Sequence, residues 1–298
     1  MTGVGVLVPV GGFAPFLAEA LDAVLAQRPD AVVVVDDAAD PAVVLHPDHA
    51  PHVTLVRRDA RGGPAGARAT GLEHLPEDCD LVALCDADDV WEPGKLAAQR
   101  RALDDPAVGL VFGRATVVGV DGRPTGETWA TPPAGPLDPV ALFAANPVPT
   151  SSVVLRRRAL RDAGGFLAPV PVAEDWDLWL RVARTGHRLV AVPEARVRYR
   201  RHPGGLTADV AGLARSQLRV HRAHADLVAP AQRDRVLAAD LRALARGLAR
   251  AGDARGARAA LAEAAQVAAP SPRDRALAAA LALPGVRGLA GRADPYRG

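Results

Sequence analysis

The densest chemistry in the chain is an acidic cluster, Asp86, Asp88 and Asp89, which ends the apolar run Leu81-Val82-Ala83-Leu84-Cys85 and precedes Val90-Trp91-Glu92-Pro93. Five apolar residues without alternation read as a strand buried on both faces, as in a parallel sheet. Residues i and i+2 of an extended segment point the same way, so Asp86 and Asp88 can converge on one divalent cation. Beyond the carboxyl end of such a strand lies the ligand crevice of an open α/β sheet, where a cation can face a phosphorylated substrate. A bare D-x-D is also found in solvated turns, but its place after a buried strand favours the metal reading. A second acidic pair, Glu174-Asp175, starts an amphipathic helical stretch over residues 171–183, closed by Gly186. The pair can complement the helix dipole, or Asp175 can act as a general base, ionised at neutral pH. Trp176 and Trp179 share one face of this helix, as core anchors in the first reading and as sugar-stacking surfaces in the second. His202, taken alone, reads as a surface residue.

The elements that must carry these residues follow from hydrophobic spacing. Residues 4–10 (VGVLVPV) form a first strand, residues 15–27 an amphipathic helix and residues 31–35 a second buried strand tipped by Asp36-Asp37. Strand, helix and strand of these lengths make a βαβ unit, so the sheet is parallel there. Residues 53–56 give a third strand, and the glycine-rich residues 61–71 lead into a helix that reaches residue 75. Free N–H groups at such a helix start suit a phosphate or nucleotide edge, and a tight loop equally well. A helix over 93–103, two short strands within 108–120, a turn at Asp121-Gly122-Arg123-Pro124 and a loop over 125–139 come next. Residues 152–155 read as a strand, 156–163 as a short helix, and 196–201 as an edge strand with an arginine face. From residue 208 the composition turns to Ala, Arg and Leu, with helices over 208–228, 231–250, 254–267 and 273–283. The pair around Gly252 looks like one degenerate tetratricopeptide-type unit.

Composition narrows the classes. At 298 residues the chain can bury a large core, and a net charge of +2 argues against a dedicated nucleic-acid surface. Lys95 is the only lysine, and the abundance of Arg, Ala, Gly and Pro reads as coding bias that discounts any single arginine. Cys79 and Cys85 lie too close in sequence to frame a disulfide-rich domain, and Cys85, at the end of a buried strand, reads as a small core residue in a reducing cytosol. Neither G-x-G-x-x-G nor the Walker pattern follows any strand, which counts against dinucleotide and P-loop sites. No signal peptide and no membrane span are expected, which gives a soluble, cytoplasmic protein whose membrane association, if any, is peripheral to the inner face.

In this order the features are similar to those of glycosyltransferase family 2, inverting nucleotide-sugar-dependent enzymes of GT-A fold. The resemblance rests on VGVLVPV with LAQRPDAVVVVDD, on GPAGARATGL from Gly63, on LCDADDVWEPGKL from Leu84, and on AEDWDLWLRVARTG with YRRHPGGLT, and it spans residues 3 to 207. It implies an α/β, Rossmann-like, mostly parallel mixed sheet flanked by helices, as a domain over 1–207 with an α-helical C-terminal appendage over 208–298. It places Pro9 and Asp37 at the nucleobase and Arg68 near the ribose or diphosphate, with Gly63, Asp86, Glu174 and Trp176 also on the substrate side. Asp86, Asp88 and His202 would hold Mn2+ or Mg2+, Asp88 most directly, and Asp175 would be the base. The implied partners are a nucleoside-diphosphate sugar, a UDP-sugar first, and an acceptor hydroxyl on a glycan, a lipid-linked molecule or a small molecule. Copies could associate through the C-terminal helices. Gly11-Gly12, Ala38-Ala39, Arg61 and Ala69 depart from the family pattern on the nucleotide side, and the Q-x-x-R-W of processive synthases is absent. Two other readings stay open: a degenerate domain that only binds, and a haloacid-dehalogenase-like phosphatase using Asp86-Ala-Asp88-Asp89-Val90, which would need a later lysine.

Overall fold

Val4–Val10 forms β1, and its alternate residues are buried on both faces. In the computed structural model, which describes residues 3–129, 135–168, 170–202, 204–205 and 209–282, it lies between β2 (Ala31–Asp36) and β4 (Leu81–Leu84), parallel to both. Helix α1 (Leu17–Leu25) makes the crossover, burying Leu17, Ala20, Leu21 and Val24 at the i, i+3, i+4, i+7 spacing of one helical face. Strand β3 (Thr54–Arg57) adds in parallel outside β2, and α2 (Gly63–His74) returns the chain to β4. Carboxyl ends of β1, β2 and β4 therefore lie side by side, and Asp36, Asp37 and Asp86 project from one edge.

The second half extends the sheet with mixed polarity. It contributes β5 (Val90–Trp91), α3 (Lys95–Ala102), β6 (Val108–Val118), β7 (Pro124–Thr128), α4 (Pro139–Ala144), β8 (Val154–Arg156), α5 (Arg157–Asp162), α6 (Glu174–Arg184) and β9 (Arg188–Arg200). Among the described residues the strand order is β3-β2-β1-β4-β8-β6-β9-β5, with β7 paired to β6. Strand β8 is antiparallel to β4 and β6, while β6 and β9 run parallel. Three expectations need correction. Residues 108–118 are one strand, not two, because Gly113 keeps the chain extended through a register shift. A side chain there would meet the carbonyl of Ala195 at 1.8 Å. Part of the presumed loop is β7, and residues 196–200 are no edge, since Val197 and Arg198 pair with both β6 and β5. Residues 130–134 of that loop and Leu283 of the last helix lie outside the described residues.

The chain divides into two compact units, Met1–Pro203 and Gly204–Gly298. The second contains α7 (Val210–Ala223), α8 (Pro230–Arg250), α9 (Ala254–Val267) and α10 (Pro272–Ala282). Its core is built from Leu218, Leu241, Leu244, Leu248 and Leu261 interleaved with alanines, which let the helices approach closely. Asp209 and Asp253 cap α7 and α9 by accepting from the N–H groups of Gly212 and Gly256 at 2.9 and 2.8 Å. Among the described residues no helix is long and apolar enough to cross a membrane.

Candidate active site

Arg68 projects from α2 into the interior, where its guanidinium donates to Asp86 Oδ1 at 2.7 Å and to Glu174 Oε1 at 2.8 Å. One side chain thus joins the end of β4 to the start of α6, which are far apart in sequence. Burial alone would lower the pKa of Arg68, but the carboxylates of Asp86, Glu174 and Asp175 more than offset it, so the group stays charged. Burial, with the neighbouring Asp175, pushes Glu174 up to about 7 against the pull of Arg68. Beside this pair opens a small cleft in which Arg68, Glu174 and Asp175 stand against Leu84, Leu178 and Trp179.

Asp175 is fixed at both oxygens. Its Oδ1 accepts the N–H of Trp176 at 2.6 Å and its Oδ2 accepts the hydroxyl of Thr150. Burial raises its pKa, and the Thr150 hydroxyl and Arg68 act in the opposite direction. Residue 173, which enters α6, is Ala at φ +65°, a left-handed conformation that aims the first helical turn into the cleft. Trp176 is buried and donates its indole N–H to the carbonyl of Leu142 at 2.8 Å, and Trp179 is fully buried, so both occupy the core.

The acids after β4 separate into two roles. Asp88 Oδ2 faces His202 Nε2 at 2.9 Å, both half-exposed. Burial and the adjacent Asp86 raise the pKa of Asp88, the state of a carboxylate that an added cation would relieve. Asp89 is buried and structural: it accepts from Ser151 Oγ at 2.6 Å and from the N–H of Arg200 at 2.8 Å. Arg200 closes the loop from the other side, donating to the carbonyl of Asp88 at 3.0 Å and to Glu19 at 2.6 Å while covering the ring of Phe16. Among the described residues no group of three His, Cys, Asp or Glu is already arranged to hold an ion. In kind, however, the carboxylates of Asp86 and Asp88 and the imidazole of His202 suit Mn2+ or Mg2+. Asp86 is the member turned away, onto Arg68.

On the nucleotide side, Asp37 is buried at the tip of β2 and holds the glycine-rich turn. It accepts from the N–H groups of Gly62 and Gly63 at 2.9 and 2.8 Å and from Arg58 at 2.5 Å. Gly63, at φ +69°, needs the left-handed freedom of glycine to open α2. Pro9 is half-buried in β1 opposite Val35. Asp86, Arg68, Glu174 and Asp175 therefore meet, Asp88 and His202 meet, and Pro9 and Asp37 line the neighbouring strand ends. Sequence reasoning missed Thr150, Ser151 and Arg200. The first two sit in a short 3-10 turn without periodicity, and the third was hidden by the abundance of arginine.

Comparison with known proteins accords with this geometry. The family model for glycosyl transferase family 2 matches residues 6–164, just over half of the chain and short of Asp175 and His202. Succinoglycan biosynthesis protein ExoW of Rhizobium meliloti is 43% identical over 70 residues, 22% of this chain and 22% of that protein. Pre-mycofactocin glycosyltransferase of Mycobacterium tuberculosis is 31% identical over 179 residues, 56% of this chain and 36% of that protein. The matches thus span well under half of either relative. Among solved structures, S. aureus TarS 1-349 in complex with UDP-GlcNAc superposes at a TM-score of 0.64 with 17% identity, over 92% of this chain and 83% of that one, a likeness of fold. Mannosyltransferase PcManGT from Pyrobaculum calidifontis, in complex with GDP-Man and Mn2+, gives 0.55 with 27% identity, over 93% of this chain and 78% of that one. The chain has a GT-A fold and belongs to glycosyl transferase family 2.

Proposed function

We propose that the chain transfers a sugar from a nucleoside-diphosphate sugar to an acceptor hydroxyl by a single displacement with inversion. The observation that carries this reading is the bridge from Asp86 through Arg68 to Glu174, which sets an acidic strand end beside the helix start bearing Asp175. In the proposed step, the acceptor oxygen forms its bond to the anomeric carbon as the bond from that carbon to the diphosphate oxygen breaks. The electron pair leaves with the diphosphate, and the acceptor proton passes to Asp175. A base whose pKa is raised by burial is better matched to that transfer than an exposed carboxylate. Asp86, Asp88 and His202 would hold the divalent ion, which when bound supplies positive charge to the departing diphosphate. Nucleotide sugars bound to TarS and PcManGT, and Mn2+ in the latter, support the donor class and the ion.

A second reading, a domain that binds without turnover, is favoured by one observation: Asp37, assigned to the nucleobase, already has both oxygens engaged by Arg58, Gly62 and Gly63. Asp175→Asn separates the two. The transferase reading expects unchanged nucleotide affinity and a loss of turnover of about 10²–10⁴-fold, the usual contribution of a general base. Turnover equal to that of the unaltered protein would remove the base assignment.

A further inference from the structure

We propose that Thr150 is a positioning residue for Asp175, fixing the plane of its carboxylate. The proposal rests on the reading of Asp175 as the base. A carboxylate turns freely about its Cβ–Cγ bond unless donors hold both oxygens, and here the two donors come from different elements. The N–H of Trp176 belongs to the same helix as Asp175, so it limits the group only locally. The hydroxyl of Thr150 reaches Oδ2 from a 3-10 turn, Thr150–Ser152, between α4 and β8.

That turn is itself anchored on every side, which is what makes Thr150 able to hold anything. Ser151 Oγ accepts from the N–H of Asp86 at 2.9 Å and donates to Asp89 at 2.6 Å, and the Ser151 carbonyl accepts the indole N–H of Trp91 at 2.7 Å. Ser152 Oγ accepts from the N–H of Gly113 at 3.0 Å and donates to the carbonyl of Pro149 at 2.7 Å, while the Ser152 carbonyl accepts from Gln99 at 2.6 Å. Ser151 and Ser152 are buried, and Thr150 alone of the three is half-buried, its hydroxyl donating to Asp175, which lines the cleft. One turn therefore sets the acid loop after β4 and the carboxylate of α6 in a common frame. The other charged groups facing Asp175 are Arg68 from α2, Asp86 from the end of β4 and its neighbour Glu174. Of these, Arg68 favours the ionised form and Asp86 opposes it, as the Thr150 hydroxyl favours it.

The test uses the full chain with 13C-labelled aspartate carboxyls, in the unaltered protein and in Thr150→Val, Thr150→Ser and Asp175→Asn, the last assigning the Asp175 resonance. Nucleoside diphosphate release from UDP-GlcNAc and GDP-mannose gives turnover, and UDP and GDP titrations give affinity. Thr150→Val should move the Asp175 titration to higher pH and lower kcat roughly ten- to hundredfold, the worth of a hydrogen bond to a charged group, with nucleotide affinity unchanged. Thr150→Ser should restore both. If Thr150→Val does not fold, Thr150→Ala takes its place. An unmoved titration, or a Thr150→Ser protein as impaired as Thr150→Val, overturns the proposal. Should Asp175→Asn turn over normally while Thr150→Val still moves the titration, it is the base assignment that has failed, and the positioning role falls with it.

Discussion

Lys95, the only lysine, is wholly buried beneath the acid loop, its ammonium 3.9 Å from the Trp91 ring centre and bonded to Gln99 at 2.9 Å. Burial lowers its pKa to about 7, far below that of an unfolded lysine. Between pH 7 and 10 the unfolded chain thus binds a proton that the folded chain does not, so stability from this group rises with pH across that window and is lost as pH falls through 7. Lys95→Met has no such term. Its stability advantage over the unaltered protein, read from urea unfolding, should shrink by up to about 3 kcal/mol from pH 7 to 9.5. A constant difference would mean that Lys95 is not depressed. At this scale the sequence showed the residues with unusual chemistry in unusual places: Asp86, Asp88 and Asp175 stand out at the ends of apolar runs. It did not separate Asp89, buried against Ser151 and Arg200, from its half-buried neighbours Asp86 and Asp88, because adjacent acids look alike until the turn assigns their directions.

Ala38, just past β2, sits at φ +53°, where a Cβ is crowded and glycine is at ease. Ala38→Gly relieves that strain but loosens the unfolded chain, so a net gain of about 0.5–1 kcal/mol is expected by chemical denaturation. A loss of stability would show that the surrounding contacts, and not the strain, decide this position. The elements built on strong periodicity were legible: β1 lies where the apolar run put it, and the four C-terminal helices fall close to their expected spans. Strand β7 was not, since PTGET has no apolar alternation and is held only by pairing to β6. Strand β9 was half read, because the bulge opposite Gly113 breaks its pattern midway. Pairing partners distant in sequence, which single-segment patterns do not encode, settle both cases.

Every residue assigned to the candidate site belongs to the Met1–Pro203 unit, and the Gly204–Gly298 unit has its own core, drawn from α7 to α10. The order of four motifs made the GT-A architecture legible before any contact was known, because each motif falls at a strand end or helix start of one sheet. Which nucleobase the site takes was not legible, since Gly11-Gly12 and Arg61 leave that side without a readable pattern. The most direct test of the whole account is calorimetric titration of UDP, GDP and dTDP into the full chain and into Asp88→Ala, each with and without Mn2+. The account predicts that one of these nucleotides binds with Mn2+, and at least about tenfold more weakly without the metal or in Asp88→Ala. Binding of none of them under any condition, or binding indifferent to both the metal and Asp88, would contradict it.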